Sequence, residues 1–109
     1  MSTESTLSPI DYIKQFSADT GVAFQALRKS VLGCGPLDAH TCELILLGAL
    51  ATSGGEGSFK VHARRLLKEG VPVEALRQAV FVTLGASTTL AQVIAGLRWI
   101  DAVQSEGGG

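Results

Sequence analysis

Cysteine is scarce in this chain: two residues in 109, Cys34 and Cys42, too far apart in sequence to read as a close-spaced pair. That usage fits a reducing compartment better than a disulfide scaffold, so a cytoplasmic location is expected. Charge of one sign is also missing. Nine Lys and Arg stand against ten Asp and Glu, a net charge of −1 with an isoelectric point near 6.1. There is no basic footprint for nucleic acid and no polybasic cluster for an anionic membrane. Long apolar runs are absent too. The longest, Leu44 to Ala51 with Gly48 inside it, is too short to cross a bilayer. Met1 to Ser8 are polar and lack the apolar centre of a secretion signal. Apolar and polar residues nowhere alternate for the length of a strand.

What is present is apolar surface. Hydrophobic residues make up 46% of the chain, and the mean hydropathy is +0.30. A chain of this size has room for one domain and buries only about 65% of its unfolded surface. The surplus implies a subunit interface, hence a homo-oligomer. No internal repeat or domain linker is evident.

Helical punctuation is frequent. Ser8-Pro9 makes a cap and first-turn pair for a helix through Phe16. A second helix follows Ser17 and runs to Leu32, with Val22, Phe24, Leu27 and Val31 suiting a buried stripe and Gly33 as its stop. Gly33-Cys34-Gly35-Pro36 reads as a loop. Asp38 caps a third helix to about Thr52, apolar nearly all round and therefore central or at an interface. Ser53-Gly54-Gly55-Glu56-Gly57 breaks the chain. Ser58 caps a fourth helix ending at Glu69, with Gly70 as its stop. Pro72 and Glu74 open a fifth, with Leu76, Val80 and Leu84 on one face. A sixth runs from about Thr88 to Val103 on the stripe Leu90, Val93, Ile94, Leu97, Ile100 and Val103, and the tail Gly107-Gly108-Gly109 is expected to be disordered. The pattern is an all-α bundle of about six helices.

Three stretches carry a resemblance. They are Thr41-Cys42-Glu43-Leu44-Ile45, then Val61-His62-Ala63-Arg64-Arg65-Leu66-Leu67-Lys68-Glu69-Gly70-Val71 after a glycine-rich break, then Pro72-Val73-Glu74-Ala75-Leu76-Arg77-Gln78-Ala79. Together they are similar to the carboxymuconolactone decarboxylase and alkylhydroperoxidase D-like family over roughly residues 23 to 103. The resemblance implies a six-helix alkylhydroperoxidase D-like bundle assembled as a homotrimer or homohexamer. In the family's peroxidase branch a glutamate precedes a Cys-x-x-Cys motif that a histidine follows one turn on. Matched on His62, the glutamate is Glu43, and the cysteine positions fall on Gly55 and Ser58, so both thiols are missing. A peroxidatic cysteine reacts as thiolate and needs a resolving thiol. A peroxidase reading therefore requires Cys34 or Cys42 to have taken over. The decarboxylase branch dispenses with the pair and often has polar or acidic residues in that stretch, where this chain has Glu56. The family's usual arginine before the Glu43 position is Cys42 here.

The resemblance makes His62 the proton carrier of a carboxy-lyase-like reaction and Glu43 the residue that orients its ring. The alternative is an interior histidine and a helix-pinning pair. Arg64 and Arg65 can hold a substrate carboxylate bidentately, or lie on a solvated face with Lys68. Glu56 and Ser58 complete the candidate substrate-binding set, and His40 reads as a first-turn surface residue. No spacing matches a metal site, and no cofactor is called for. The expected activity is non-redox acid/base chemistry on a small carboxylated lactone or related acid. The alternatives are a catalytically degenerate oligomeric binding or scaffold protein and, more weakly, a thiol peroxidase.

Overall fold

The computed structural model describes residues 7–108. Six helices follow in order: α1 Pro9–Phe16, α2 Ala18–Leu32, α3 Ala39–Ser53, α4 Glu56–Lys68, α5 Val73–Phe81 and α6 Leu90–Gly108. No strand occurs among the described residues, where an isolated bridge joins Leu84 and Thr88. The chain divides into two compact units, Met1–Pro36 and Leu37–Gly109.

In the first unit α1 packs on α2. Ser8 and Ser17 cap the two helices, accepting from the Asp11 and Thr20 amides. α1 buries none of its residues and α2 buries Gly21. The expected buried stripe of α2 is not buried: Val22, Phe24, Leu27 and Val31 are 46 to 57% exposed. Successive helical residues turn by about 100°, so Val22 and Phe24 point in nearly opposite directions and form no single stripe. A pair of helices also has no further layer to bury a second face.

The second unit holds the core. α3 contacts α4, α5 and α6, in the central position its composition implied. Leu47 and Ala51 of α3, Phe59, Ala63 and Leu66 of α4, Leu76 and Val80 of α5, and Val93, Ile100 and Val103 of α6 are buried together. Phe59 meets Trp99 edge-to-face, with centroids 5.2 Å apart. Helices α3 and α5 approach closely at Gly48, where a Cβ would lie 3.0 Å from the Ala79 carbonyl oxygen.

The break before α4 is shorter than expected. Gly54, at φ 79°, ends α3 in the left-handed region that favours glycine, and α4 begins at Glu56 with Gly55 as N-cap and no side-chain cap. Ser58 is thus inside the first turn and is not the cap. α5 ends at Phe81, before Leu84. The chain tightens there, with Thr83 and Leu84 amides donating to the Val80 and Phe81 carbonyls, and Leu84 is 38% exposed in the turn. The sixth helix starts after Thr88, on a reciprocal cap: the Gln92 amide donates to Thr89 Oγ1 and the Thr89 amide to Gln92 Oε1. Thr88 is instead buried, its hydroxyl 2.6 Å from that of Thr52. α6 continues past Val103 to Gly108, while Gly109 lies outside the described residues.

Candidate functional site

Helix periodicity places a carboxylate on the core face. Residues 43, 47 and 51 recur every four positions on α3, so Glu43 shares its face with Leu47 and Ala51 and is buried with them. On α4, Phe59, Ala63 and Leu66 form the core stripe. The stripe one residue earlier, Ser58, His62 and Arg65, is a neighbouring face, and its His62 and Arg65 meet Glu43.

Arg65 Nη1 donates to Glu43 Oε1 at 2.5 Å. His62 Nδ1 lies 3.4 Å from the same oxygen, a long contact beside the usual 2.9 to 3.0 Å of about ideal N–H···O geometry. The guanidinium is therefore the closer partner of Glu43 and the imidazole the weaker one. A carboxylate only accepts, so the Nδ1 contact needs the proton on Nδ1. In the neutral ring Nε2 is then left as the acceptor. Exposure grades outward: the Glu43 side chain is 8% exposed, His62 19% and Arg65 49%. Both partners bind Oε1, and Oε2 is buried with no hydrogen-bond partner among the described residues.

The remaining candidates fall elsewhere. Arg64 makes a bidentate pair with Glu106 of α6, at 2.7 and 2.9 Å. The hydrogen bond from Arg64 holds the Glu106 carboxyl below its ordinary range and raises the guanidinium in turn. Glu56 pairs with Lys60 one turn on, at 2.9 Å on the surface of α4. Ser58 is half-buried, one turn before His62 on the same face. His40, an exposed first-turn residue, pairs with Glu69 at 2.8 Å. Both cysteines are free. The Cys34 thiol donates to the Val31 carbonyl and that of Cys42 lies 3.9 Å from the Leu37 carbonyl. Among the described residues no group of three or more His, Cys, Asp or Glu is placed to hold a metal ion, and no helix is long and apolar enough to cross a membrane.

The pattern that defines the carboxymuconolactone decarboxylase family matches residues 18–102. The chain belongs to that family. Its match covers α2 to α5 and most of α6, and includes Glu43, His62 and Arg65. No curated protein and no solved structure matches the chain.

The Glu43–Arg65 pair is the feature that sequence reasoning missed. The sequence leaves Arg65 between a substrate carboxylate and a solvated face, and pairs Glu43 with His62. The signal was available in the spacing, since a residue three positions after His62 returns to the same face of the helix.

Proposed function

We propose that this member of the family carries out non-redox acid/base chemistry on a small carboxylated lactone or related acid, with His62 moving the proton. The observation that supports the reading is a carboxylate on a core stripe, held between a histidine and an arginine that reach progressively toward solvent. Glu43 keeps the proton of His62 on Nδ1, so Nε2 is the atom that exchanges a proton with substrate. Arg65 spends one N–H on Glu43 and has others, on a half-exposed guanidinium, for a substrate carboxylate. In a decarboxylation the C–C bond to the departing CO₂ breaks and its electron pair stays on the substrate as an enolate. His62 takes a proton from water at Nε2 to become imidazolium. The cationic Arg65 stabilises the enolate charge, and the imidazolium then passes that proton to carbon and returns to the neutral ring. Arg64, engaged with Glu106, is left out of this scheme.

The test is turnover of carboxylated γ-lactones by wild type and His62→Ala. General acid–base catalysis contributes about 10²- to 10⁴-fold, so the variant should lose at least two orders of magnitude in kcat. Full turnover by the variant would refute the role of His62. Preserved activity in Arg64→Ala, beside loss in Arg65→Ala, is the expected contrast.

A second reading, that of an oligomeric binding or scaffold protein, is favoured by a separate observation. Tyr12, Phe16, Phe24 and Leu27 of the first unit, and Ile45, Phe81 and Val82 of the second, are 44 to 73% exposed. Such apolar surface suits self-association as a trimer or hexamer. The two readings are compatible when pockets lie near subunit boundaries. Solution mass by light scattering tests the assembly, and a monomer at micromolar concentration would remove it. A thiol peroxidase remains the weakest reading. Unchanged peroxide consumption in a Cys34→Ser, Cys42→Ser double variant would remove it.

A further inference from the structure

Resting on the reading of the chain as a self-assembling one, we propose that α1 and α2 form the contact that pairs its subunits. Two copies meet about a two-fold axis, each covering the apolar faces that these helices present on the other. The family match begins at residue 18, so α1, Pro9–Phe16, lies outside it. This helix is amphipathic, with Ile10, Tyr12, Ile13 and Phe16 on one side and Asp11, Lys14 and Gln15 on the other. The polar side is the one turned to α2. The Lys14 stem lies against Gly21, where a Cβ would run into Lys14 Cγ. Tyr12 and Phe16, two residues to either side of Lys14, point about 160° away from it. Their rings meet edge-to-face, with centroids 5.2 Å apart.

On α2, Phe24, Leu27 and Val31 recur at three and then four residues, the spacing of a seam by which two helices pack. No charged residue lies on that seam. Together with Tyr12, Ile13 and Phe16 they are 41 to 73% exposed, and the two helices bury Gly21 alone. An isolated helix shorter than about 12–15 residues is marginal in water. At 8 residues and with no buried side chain, α1 needs a cover to stay ordered. The cover must be apolar, because nothing on these stripes pairs with a charge. A second copy brings the same uncharged surface in the same amount, which is what a two-fold contact requires. The area suffices as well. Six side chains that each leave on the order of 100 Å² uncovered bury about 1,200 Å² when two copies meet. That exceeds the roughly 1,000 Å² that marks a specific interface.

Light scattering on the whole chain at micromolar concentration reads the contact, with circular dichroism to confirm that each variant is folded. The wild type should contain an even number of subunits, since a two-fold contact pairs them. Phe16→Glu and Leu27→Glu each put a charge into the contact and should halve the mass. Val22→Glu, on the far side of α2 from the seam, should leave the mass unchanged. Should Phe16→Glu lose helical signal, Leu27→Glu reads the same contact from α2, and the wild-type count decides whether or not either variant folds. An odd number of subunits would overturn the pairing. Wild-type mass in both Phe16→Glu and Leu27→Glu would overturn it too and leave the assembly reading standing, as would halving by Val22→Glu. A monomeric wild type would overturn both the contact and the reading it rests on.

Discussion

Replacing Glu43 by leucine should leave the protein as stable as wild type or more so, and replacing Arg65 by alanine should weaken it. The opposite signs follow from where the charges lie. Glu43 sits on the stripe of Leu47 and Ala51, its side chain 8% exposed, and its Oε2 has no hydrogen-bond partner among the described residues. An unsatisfied buried polar atom costs about 1–3 kcal/mol, which Glu43→Leu removes while nearly conserving volume. What it forfeits is the hydrogen bond from Arg65. That loss amounts to about 1 kcal/mol, because the guanidinium is half exposed and returns to water. The balance is between about 0 and 2 kcal/mol in favour of leucine, in line with other buried ion pairs replaced by apolar residues. Arg65→Ala does the reverse. It strips the closer partner from a buried carboxylate and leaves the 3.4 Å contact to His62. Breaking a fully buried pair costs about 3–5 kcal/mol, and with one partner half in solvent about 1–3 kcal/mol is expected.

Urea unfolding at fixed protein concentration reads both, with the concentration held because subunit association would add to apparent stability. A loss of about 2–5 kcal/mol in Glu43→Leu, the size of a Leu→Ala truncation in a core, would refute the reasoning. It would mean that Glu43 is a structural pin between α3 and α4. A stable but inactive Glu43→Leu protein would instead mean that the carboxylate is kept for chemistry at the expense of stability.

Two glycines should respond with opposite signs. Gly48→Ala puts a Cβ 3.0 Å from the Ala79 carbonyl oxygen and 3.1 Å from Thr83 Cγ2, so overpacking of about 1–3 kcal/mol should exceed the helix-propensity gain of about 1 kcal/mol. Gly57→Ala, with nothing within 4 Å of the added Cβ but in the first turn of α4, should keep part of that gain and stabilise slightly. Thermal melts of the two variants check this, and a stabilised Gly48→Ala would show that α3 and α5 are packed less closely than the 3.0 Å approach to Ala79 requires. Acid should loosen the α4–α6 clamp. The hydrogen bond from Arg64 lowers the Glu106 pKa from its ordinary 4.5, so its contribution is present above that value and fades as pH falls through the lower folded value. The melting-temperature gap between wild type and Glu106→Gln should narrow from pH 7 to pH 3, and a gap that widens with acid would contradict the assignment.

Much of the fold was legible because the helix ends are written in side chains. Ser8, Ser17 and Asp38 all accept a backbone hydrogen bond as caps, and they fixed three starts. Where no side chain does the capping, the boundary moved. Gly55 begins α4 without a side-chain cap, and Ser58, the nearest residue of capping type, drew the expected start three residues too late. Thr88 and Thr89 are both capping residues. Choosing between them required knowing that the Thr88 hydroxyl is taken by Thr52, a contact between residues 36 positions apart. Apolar spacing alone likewise did not settle which faces are buried, since α2 has no further layer in its unit.

The candidate site was half legible for a related reason. A resemblance aligns residues along the chain, and so it named Glu43 and His62 but left Arg64 and Arg65 equivalent. Helix geometry separates them. Adjacent residues point about 100° apart, so when His62 faces α3, Arg65 returns to that face while Arg64 turns toward α6 and Glu106. One departure from local rules needed no structure to notice. A glutamate four residues before Leu47 and eight before Ala51, on a helix otherwise apolar nearly all round, sets a charge against the face that buries it. Such conflicts between local chemistry and global packing concentrate at functional sites. Here the conflict remains partly unresolved, because Arg65 and His62 both serve one oxygen of Glu43 and leave the other without a donor among the described residues.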